Sequence, residues 1–362
     1  MTPLRPSPAP SSSRGCPRNL TALRAAYPDD RACLDLLEEL RWPGGFICPK
    51  CGRHKGIRLV DGRFWCEPCR RRSSVTTATL FHGARTPLTS WFAAAWHLTS
   101  RNGISAVNLQ KLLRLGSYQT AWAMLHRLRA AMGRPGRDRL AGSVEVGLTP
   151  LGRMHPGPVR QGAAGQALVV IAVELSGTTG LGRCRLRLLP DAVGAGLSAF
   201  LRDCVMPGAT LVIDKNLPLP QTAGATYRCH IVDAASICGR AGVLLPGAKR
   251  VSGAVQRWLA RTHSSAAEAD HLQAYLDEFA FRFGRLKSEP RFVLFRSLLE
   301  LAVQVDTITF RSLVADQRTD GDATGDTGEP PPPGDSTEPG DEPDCLPTVP
   351  EGMAGGEEPT GA

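Results

Sequence analysis

Two cysteine pairs, Cys48-x2-Cys51 and Cys66-x2-Cys69, restrict this chain more than any other feature of it. The fourteen residues between them read as strand, turn at Asp61-Gly62, strand. Two such knuckles at that separation bring four thiolates to one point, the tetrahedral sulfur set that Zn²⁺ takes. The Gly and Pro beside each pair permit the tight turns this needs. The bland alternative is four reduced cysteines in a core. A zinc site made of four cysteines is closed and structural, so it carries no chemistry of its own. The other seven of the eleven cysteines are scattered singly, which is no disulfide framework and suits a reducing compartment.

Beyond the second pair the chain is first basic, then helical. Arg70-Arg71-Arg72 reads either as a phosphate contact or as a solvated charge run. Residues 87–132 divide into three helical pieces. PLTSWFAAAWHLTS starts near Pro87 and sets Leu88, Trp91, Phe92, Ala95 and Trp96 on one face. ISAVNLQKLLRL comes after the Asn102-Gly103 break. After a short turn at Gly116, SYQTAWAMLHRLRAAM begins on Ser117 as N-cap. Its Ala121, Leu125, Leu128 and Met132 form a buried stripe, while Tyr118, Gln119, Thr120 and Arg127 face outward. Helix, short turn with Gly, then a polar-tipped helix is the helix-turn-helix layout, whose second helix enters the DNA major groove by its N-terminal residues. A plain three-helix linker has the same pattern. Trp91, Trp96 and Trp122 are read as core.

Charge favours the DNA reading. From Asp316 onward there are 13 acids and one base, Arg318, so the preceding residues hold 42 lysines and arginines against 21 acids, a net of +21. So basic a body suits a polyanion, with nucleic acid as the default. The acidic stretch is read as a solvating tail; competition for the basic surface is the sharper alternative. Residues 1–18 and 316–362 are rich in Pro, Gly, Ser and Asp and are expected to be disordered. The longest apolar run, ALVVIAVEL from Ala167, has the length of a buried strand and falls short of the ~18 residues of a membrane span. With no apolar signal segment at the N-terminus, the expectation is a soluble, cytoplasmic, nucleoid-associated protein with no membrane partner.

From Gly142 the pattern turns to strands: SVEVG, ALVVIAVEL and GRCRLRLLP. A helix (AGLSAFLRDCV) and two more strands (ATLVID, TYRCHIV) come next, then helices from about Val251. Three antiparallel strands, a helix, further strands and helices is the order of an RNase H-like α/β domain. The expected organisation is a multi-domain α/β protein. Its parts are a disordered start (1–18), a helical lead-in (19–42), a zinc ribbon (43–75), a helix-turn-helix-like segment (76–136), the RNase H-like core (137–315) and a disordered acidic tail (316–362).

The chain resembles bacterial insertion-sequence transposases that join a zinc-ribbon head to a DDE-type integrase core. The resemblance is carried by YPDDRACLDLLEELRWPGGFICPKCG, FWCEPCRRRSSVTTATLFHGARTPLTSWFAAAWHLTS, GISAVNLQKLL, SYQTAWAMLHRLRAAM, GRCRLRLLPDA, PGATLVID, RWLARTH and HLQAYLDEFAFRFGR. It spans about residues 22 to 314. Such enzymes cut and rejoin DNA with two divalent metals held by carboxylates from separate elements. The resemblance implies a first acid at the end of the first core strand, where this chain has Gly147. It implies a second at Asp214, which is retained, and a histidine downstream at His230. The third falls near Lys249, a cation, and a family lysine near Gln256 is absent. Glu145 is two residues back on the same strand face, roughly 6.6 Å away and too far to substitute. Glu268, Asp270, Asp277 and Glu278 are read as helix-surface residues. The resulting expectation is a DNA-binding transposase relative, self-associating on the inverted-repeat ends of an element, with structural zinc and a disabled catalytic site. The alternative is an active enzyme using Mg²⁺ or Mn²⁺ to cut and join those ends.

Overall fold

The computed structural model describes residues 16–133, 139–151, 167–177, 180–189, 193–219, 223–233, 245–262, 271–285 and 289–315. The expected tail (316–362), nearly all of the expected disordered start, and Glu268 and Asp270 lie outside them. Helices α1 (Leu20–Ala26) and α2 (Asp30–Arg41) open the described chain. Each starts on a polar cap: Asn19 accepts from the Ala22 N–H and Asp29 from the Ala32 N–H, both at 2.8 Å. The helical spacing in α2 buries Cys33, Leu36, Leu37 and Leu40.

The ribbon is a three-stranded antiparallel sheet of β1 (Gly56–Arg58), β2 (Phe64–Cys66) and β3 (Arg71–Ser73). Its third strand, formed by the basic run itself, was not evident from periodicity. Gly56 is required, because a Cβ there would run into the Phe46 ring, which stacks on Phe64 at 4.8 Å. Helices α3 (Leu88–Leu98), α4 (Ala106–Leu113) and α5 (Tyr118–Met132) come next. Ser105 caps α4 and Ser117 caps α5. Trp91 and Trp96 are buried, whereas Trp122 is half-buried and stacks on His126 at 4.2 Å.

The second layer is a five-stranded mixed sheet. Its strands are β4 (Ser143–Leu151), β5 (Ala167–Ser176), β6 (Gly180–Leu188), β7 (Thr210–Asp214) and β8 (Arg228–Val232), in the order β6-β5-β4-β7-β8. β4, β5 and β6 pair antiparallel, while β7 and β8 run parallel to β4. Such parallel pairs need a crossover, and α6 (Val193–Cys204) supplies one before β7, with the short α7 (Ala223–Thr226) between β7 and β8. Even-numbered β4 residues, Val144 and Val146, pack with Phe200 and Leu201 of α6. On the opposite face Val169, Ile171 and Val173 of β5 pack with Val251, Val255 and Leu276 of α8 (Pro246–Thr262) and α9 (Leu272–Arg282). The free edge of β6 is blunted by Gln273 of α9, which accepts from the Leu188 N–H and donates to the Leu186 carbonyl.

Helix α8 starts five residues earlier than the sequence implied, at Pro246. Proline at the first helical position loses no hydrogen bond there. Helix α10 (Arg291–Ala302) returns to the first core, where Phe292, Phe295 and Leu298 join Phe92 and Trp96 of α3. The short α11 (Phe310–Ala315) brings Phe310 against Trp122.

One surface reading is corrected. Glu278 on α9 is fully buried and paired with Arg129 of α5 at 2.7 Å and with Arg282 at 3.0 Å. Asp277 is half-buried, its carboxyl accepting from Gln273 at 2.9 Å. Helix α9 lies between two cores, so it has no fully solvated face for these acids.

Candidate functional site

The four ribbon cysteines converge. The sulfurs of Cys48, Cys51, Cys66 and Cys69 all lie within 4.8 Å of one another, and Cys48–Cys69 and Cys51–Cys66 are 3.6 Å apart. Tetrahedral bonds of about 2.3 Å to zinc set sulfurs roughly 3.8 Å apart, so the donor set fits that ion. Burial opposes ionisation of Cys48. Yet the N–H groups of Cys51 and Lys50 donate to its sulfur and, with the Cys66 and Cys51 thiols, bring it down to about 6. That favours a thiolate at Cys48, the form that binds metal, while burial pushes its partner Cys66 up to about 12.

Arg70, Arg71 and Arg72 are all exposed. Arg70 adopts the left-handed conformation (φ 47°), and Arg71 and Arg72 lie opposite Cys66 and Trp65 in the β2–β3 ladder. The basic run is thereby fixed to the metal ribbon. On α5, Tyr118 and Gln119 are exposed in the first turn. Thr120 is half-buried beside the cap, its hydroxyl 2.9 Å from that of Ser117. Arg127 departs from the outward placement expected of it: it is half-buried, and burial lowers its pKa. Two turns along α5, the helix is already enclosed by neighbouring elements.

The first two positions at which the resemblance implies acids, Gly147 and Asp214, lie on β4 and β7, which run side by side. The register pairs Glu145 with Val212 and ends with Val146 opposite Ile213, one residue before Gly147 on the one strand and Asp214 on the other. Glu145, Gly147 and Thr149 share the face of β4 under α8, and each meets that helix. Glu145, buried, accepts from the Ala248 N–H at 2.8 Å. A Cβ on Gly147 would stand 3.3 Å from Leu245 Cδ1 and 3.4 Å from Ala248 Cβ. The Thr149 hydroxyl lies 2.8 Å from that of Ser252.

Asp214 ends β7 half-buried, and its Oδ1 accepts from the Asn216 N–H at 2.7 Å, closing a local turn. The adjoining Lys215 pairs with Asp233 at 2.8 Å, and His230 is exposed on β8. Lys249, expected at the third acid position, is exposed; its neighbour Ala248 faces Gly147 instead. Leu245, Ala248 and Ser252 were missed because the sequence shows no register between a strand and a helix about a hundred residues later. The spacing of three and four residues was the available signal. Among the described residues, the ribbon is the one place where three or more metal-ligating side chains come together.

Comparison with known proteins bears on both halves. Residues 28–72 match a family model described as a transposase zinc-ribbon domain, and residues 139–284 match one described as an ISXO2-like transposase domain. An uncharacterised protein in the transposable element ISH50 of Halobacterium salinarum is 30% identical over 124 residues. That match covers 33% of this chain and 41% of the relative's length. No solved structure matches the chain.

Proposed function

This chain belongs to the IS1595 family of transposases, with a zinc-ribbon domain and an ISXO2-like DDE domain, and on that footing we propose that it binds DNA while its core no longer cleaves it. The observation that carries the reading is Gly147. It directly follows Val146, whose ladder partner Ile213 precedes Asp214, and its Cβ position is bounded by Leu245 and Ala248. Two-metal phosphoryl transfer needs carboxylates converging from separate elements on ions roughly 4 Å apart. No acid joins Asp214 from position 147, Glu145 is engaged with the start of α8, apolar groups bound the Gly147 Cβ position, and the expected third position holds the exposed cation Lys249. These residues do not fit a two-metal centre.

The strand order, with two strands parallel to β4 beyond an antiparallel trio, supports an RNase H-like core. The exposed Arg70, Arg71, Arg72, Tyr118 and Gln119 support DNA contact through the ribbon and the first turn of α5. The DNA would be the ends of the gene's own element, bound by a self-associated form in the cytoplasm. None of the described helices is long and apolar enough to cross a membrane.

The test is cleavage of labelled DNA carrying the gene's own flanking sequence, with zinc-loaded protein and Mn²⁺, alongside Asp214→Ala. Retarded but uncut DNA is expected. Nicking that disappears in Asp214→Ala would overturn the reading in favour of an active transposase.

A further inference from the structure

A cleft of about 550 Å³ opens between α1, the start of α3 and the end of α4. Its rim carries Arg24 of α1 and Arg114, which closes α4 in the left-handed conformation; both are exposed. Neither guanidinium has an acid partner among the described residues. Between them lie the hydroxyl-bearing Thr89 and Ser90 of the first turn of α3, and Tyr27 lines the same wall. Pro87 precedes α3 and offers no side-chain cap; one N–H of the turn, that of Thr89, is taken by Asp30 at 3.2 Å.

We propose that this cleft is a second DNA contact, seating a backbone phosphate between Arg24 and Arg114. The proposal rests on the DNA-binding reading and adds to it residues that carry no sequence preference. Guanidinium forks and hydroxyls are the donors a phosphate takes. The position relative to α5 supplies the geometry. Arg114 lies in the turn between α4 and α5, four residues before Tyr118. Four residues span at most about 14 Å, and the major groove is about 12 Å wide. With the first turn of α5 in the groove, Arg114 comes within reach of the phosphates that border it, and Arg24 shares its cleft. The deeper wall is apolar (Leu23, Phe92, Leu113), which holds the two arginine-bearing elements at fixed separation.

The test uses the full zinc-loaded chain and fluorescence anisotropy with two duplexes, one of the element's end sequence and one scrambled, from 50 to 300 mM salt. Arg24→Ala/Arg114→Ala is expected to weaken both duplexes by the same factor and to flatten the slope of log affinity against log salt by about one. Arg24→Lys/Arg114→Lys should keep most of the slope, separating charge from a folding defect. Gln119→Ala, by contrast, should alter the preference between duplexes and leave the slope unchanged. An unchanged slope in the alanine pair, with wild-type binding intact, overturns the cleft proposal alone. Absence of salt-dependent binding in the wild type overturns the DNA reading and this proposal together.

Discussion

Glu278→Ala is the perturbation whose size the structure fixes best. The carboxylate is fully buried, and its two oxygens meet Arg129 Nε at 2.7 Å and Arg282 Nη2 at 3.0 Å, on side chains only 2% and 4% exposed. Arg282 also donates to the Ser100 and Arg101 carbonyls, and both guanidiniums lie 4.8 Å over rings, Tyr275 for Arg129 and Trp258 for Arg282. Removing the acid leaves two cations in a dry seam between α5 and α9. Breaking one buried pair costs about 3–5 kcal/mol through the uncompensated charge. Two arginines share one acid here, which raises the loss, and Arg282 keeps its carbonyls, which lowers it; about 4 kcal/mol is the working figure. At roughly 2–4 °C per kcal/mol for a body of a few hundred residues, the melting temperature falls by about 8–16 °C, measured by circular dichroism on zinc-loaded protein. Arg129→Met/Glu278→Leu/Arg282→Met, which removes all three charges, should recover most of that loss. A fall of less than about 3 °C for Glu278→Ala would mean that water reaches the seam and that the burial argument is wrong.

Asp277 is pushed up to about 6, by burial first and against the Gln273 hydrogen bond and the nearby Arg187 and Arg185. The folded state therefore holds this proton more tightly than the unfolded chain, so stability should fall as pH climbs from about 4 through 6; Asp277→Asn should flatten that window and gain about 2 kcal/mol at pH 7, read by urea unfolding at several pH values. Cys51→Ser, or a strong chelator on the wild type, should cost the bound zinc measured by metal analysis and with it the salt-dependent DNA binding, because Cys48 and Cys66 also sit in the first core. Glu145→Ala should destabilise by about 1–3 kcal/mol, since it leaves the Ala248 N–H buried without its acceptor, and Glu145→Gln should lose less; equal unfolding midpoints for both variants and wild type would count against this cap.

Local chemistry made much of the chain legible. The cysteine spacing named the four thiols, and the cap and apolar spacing outlined α2 and α5, since these signals lie within a few residues of what they describe. The alternation that stops at Gly147 reads as a strand end, yet β4 continues through it to Leu151, because the ladder with β5 runs on to the Leu151–Ala167 pair and overrides the local pattern. The parts that were not legible depend on contacts between distant elements. Nothing near Glu278 reveals Arg129, which comes from a helix about 150 residues earlier, so the acid read as surface. Arg127 has helical spacing compatible with solvent, and only the surrounding elements half-bury it. Helix α8 begins in PGAKR, a stretch that reads as loop until Glu145 is seen capping it.

On the reading proposed above, the seam between β4 and α8 gives a physical account of how this fold would stand without a ligand at position 147. In a two-metal centre, carboxylates would repel one another there and the bound cations would hold strand and helix together. Here the same face carries a carboxylate on a backbone N–H, a hydroxyl pair and apolar contacts around a glycine. None of these contacts needs a cation to balance it. Aspartate at position 147 would bring its Cβ against Leu245 and Ala248 and leave a charge in a partly apolar site beside Asp214, a costly arrangement without a counter-ion. Gly147→Asp alone should therefore destabilise the core without conferring Mn²⁺-dependent cleavage, and the deficit should be eased by opening α8 with Ala248→Gly. Cleavage by the single Gly147→Asp variant would mean that a third ligand is already present and that the seam is a metal site short of one residue.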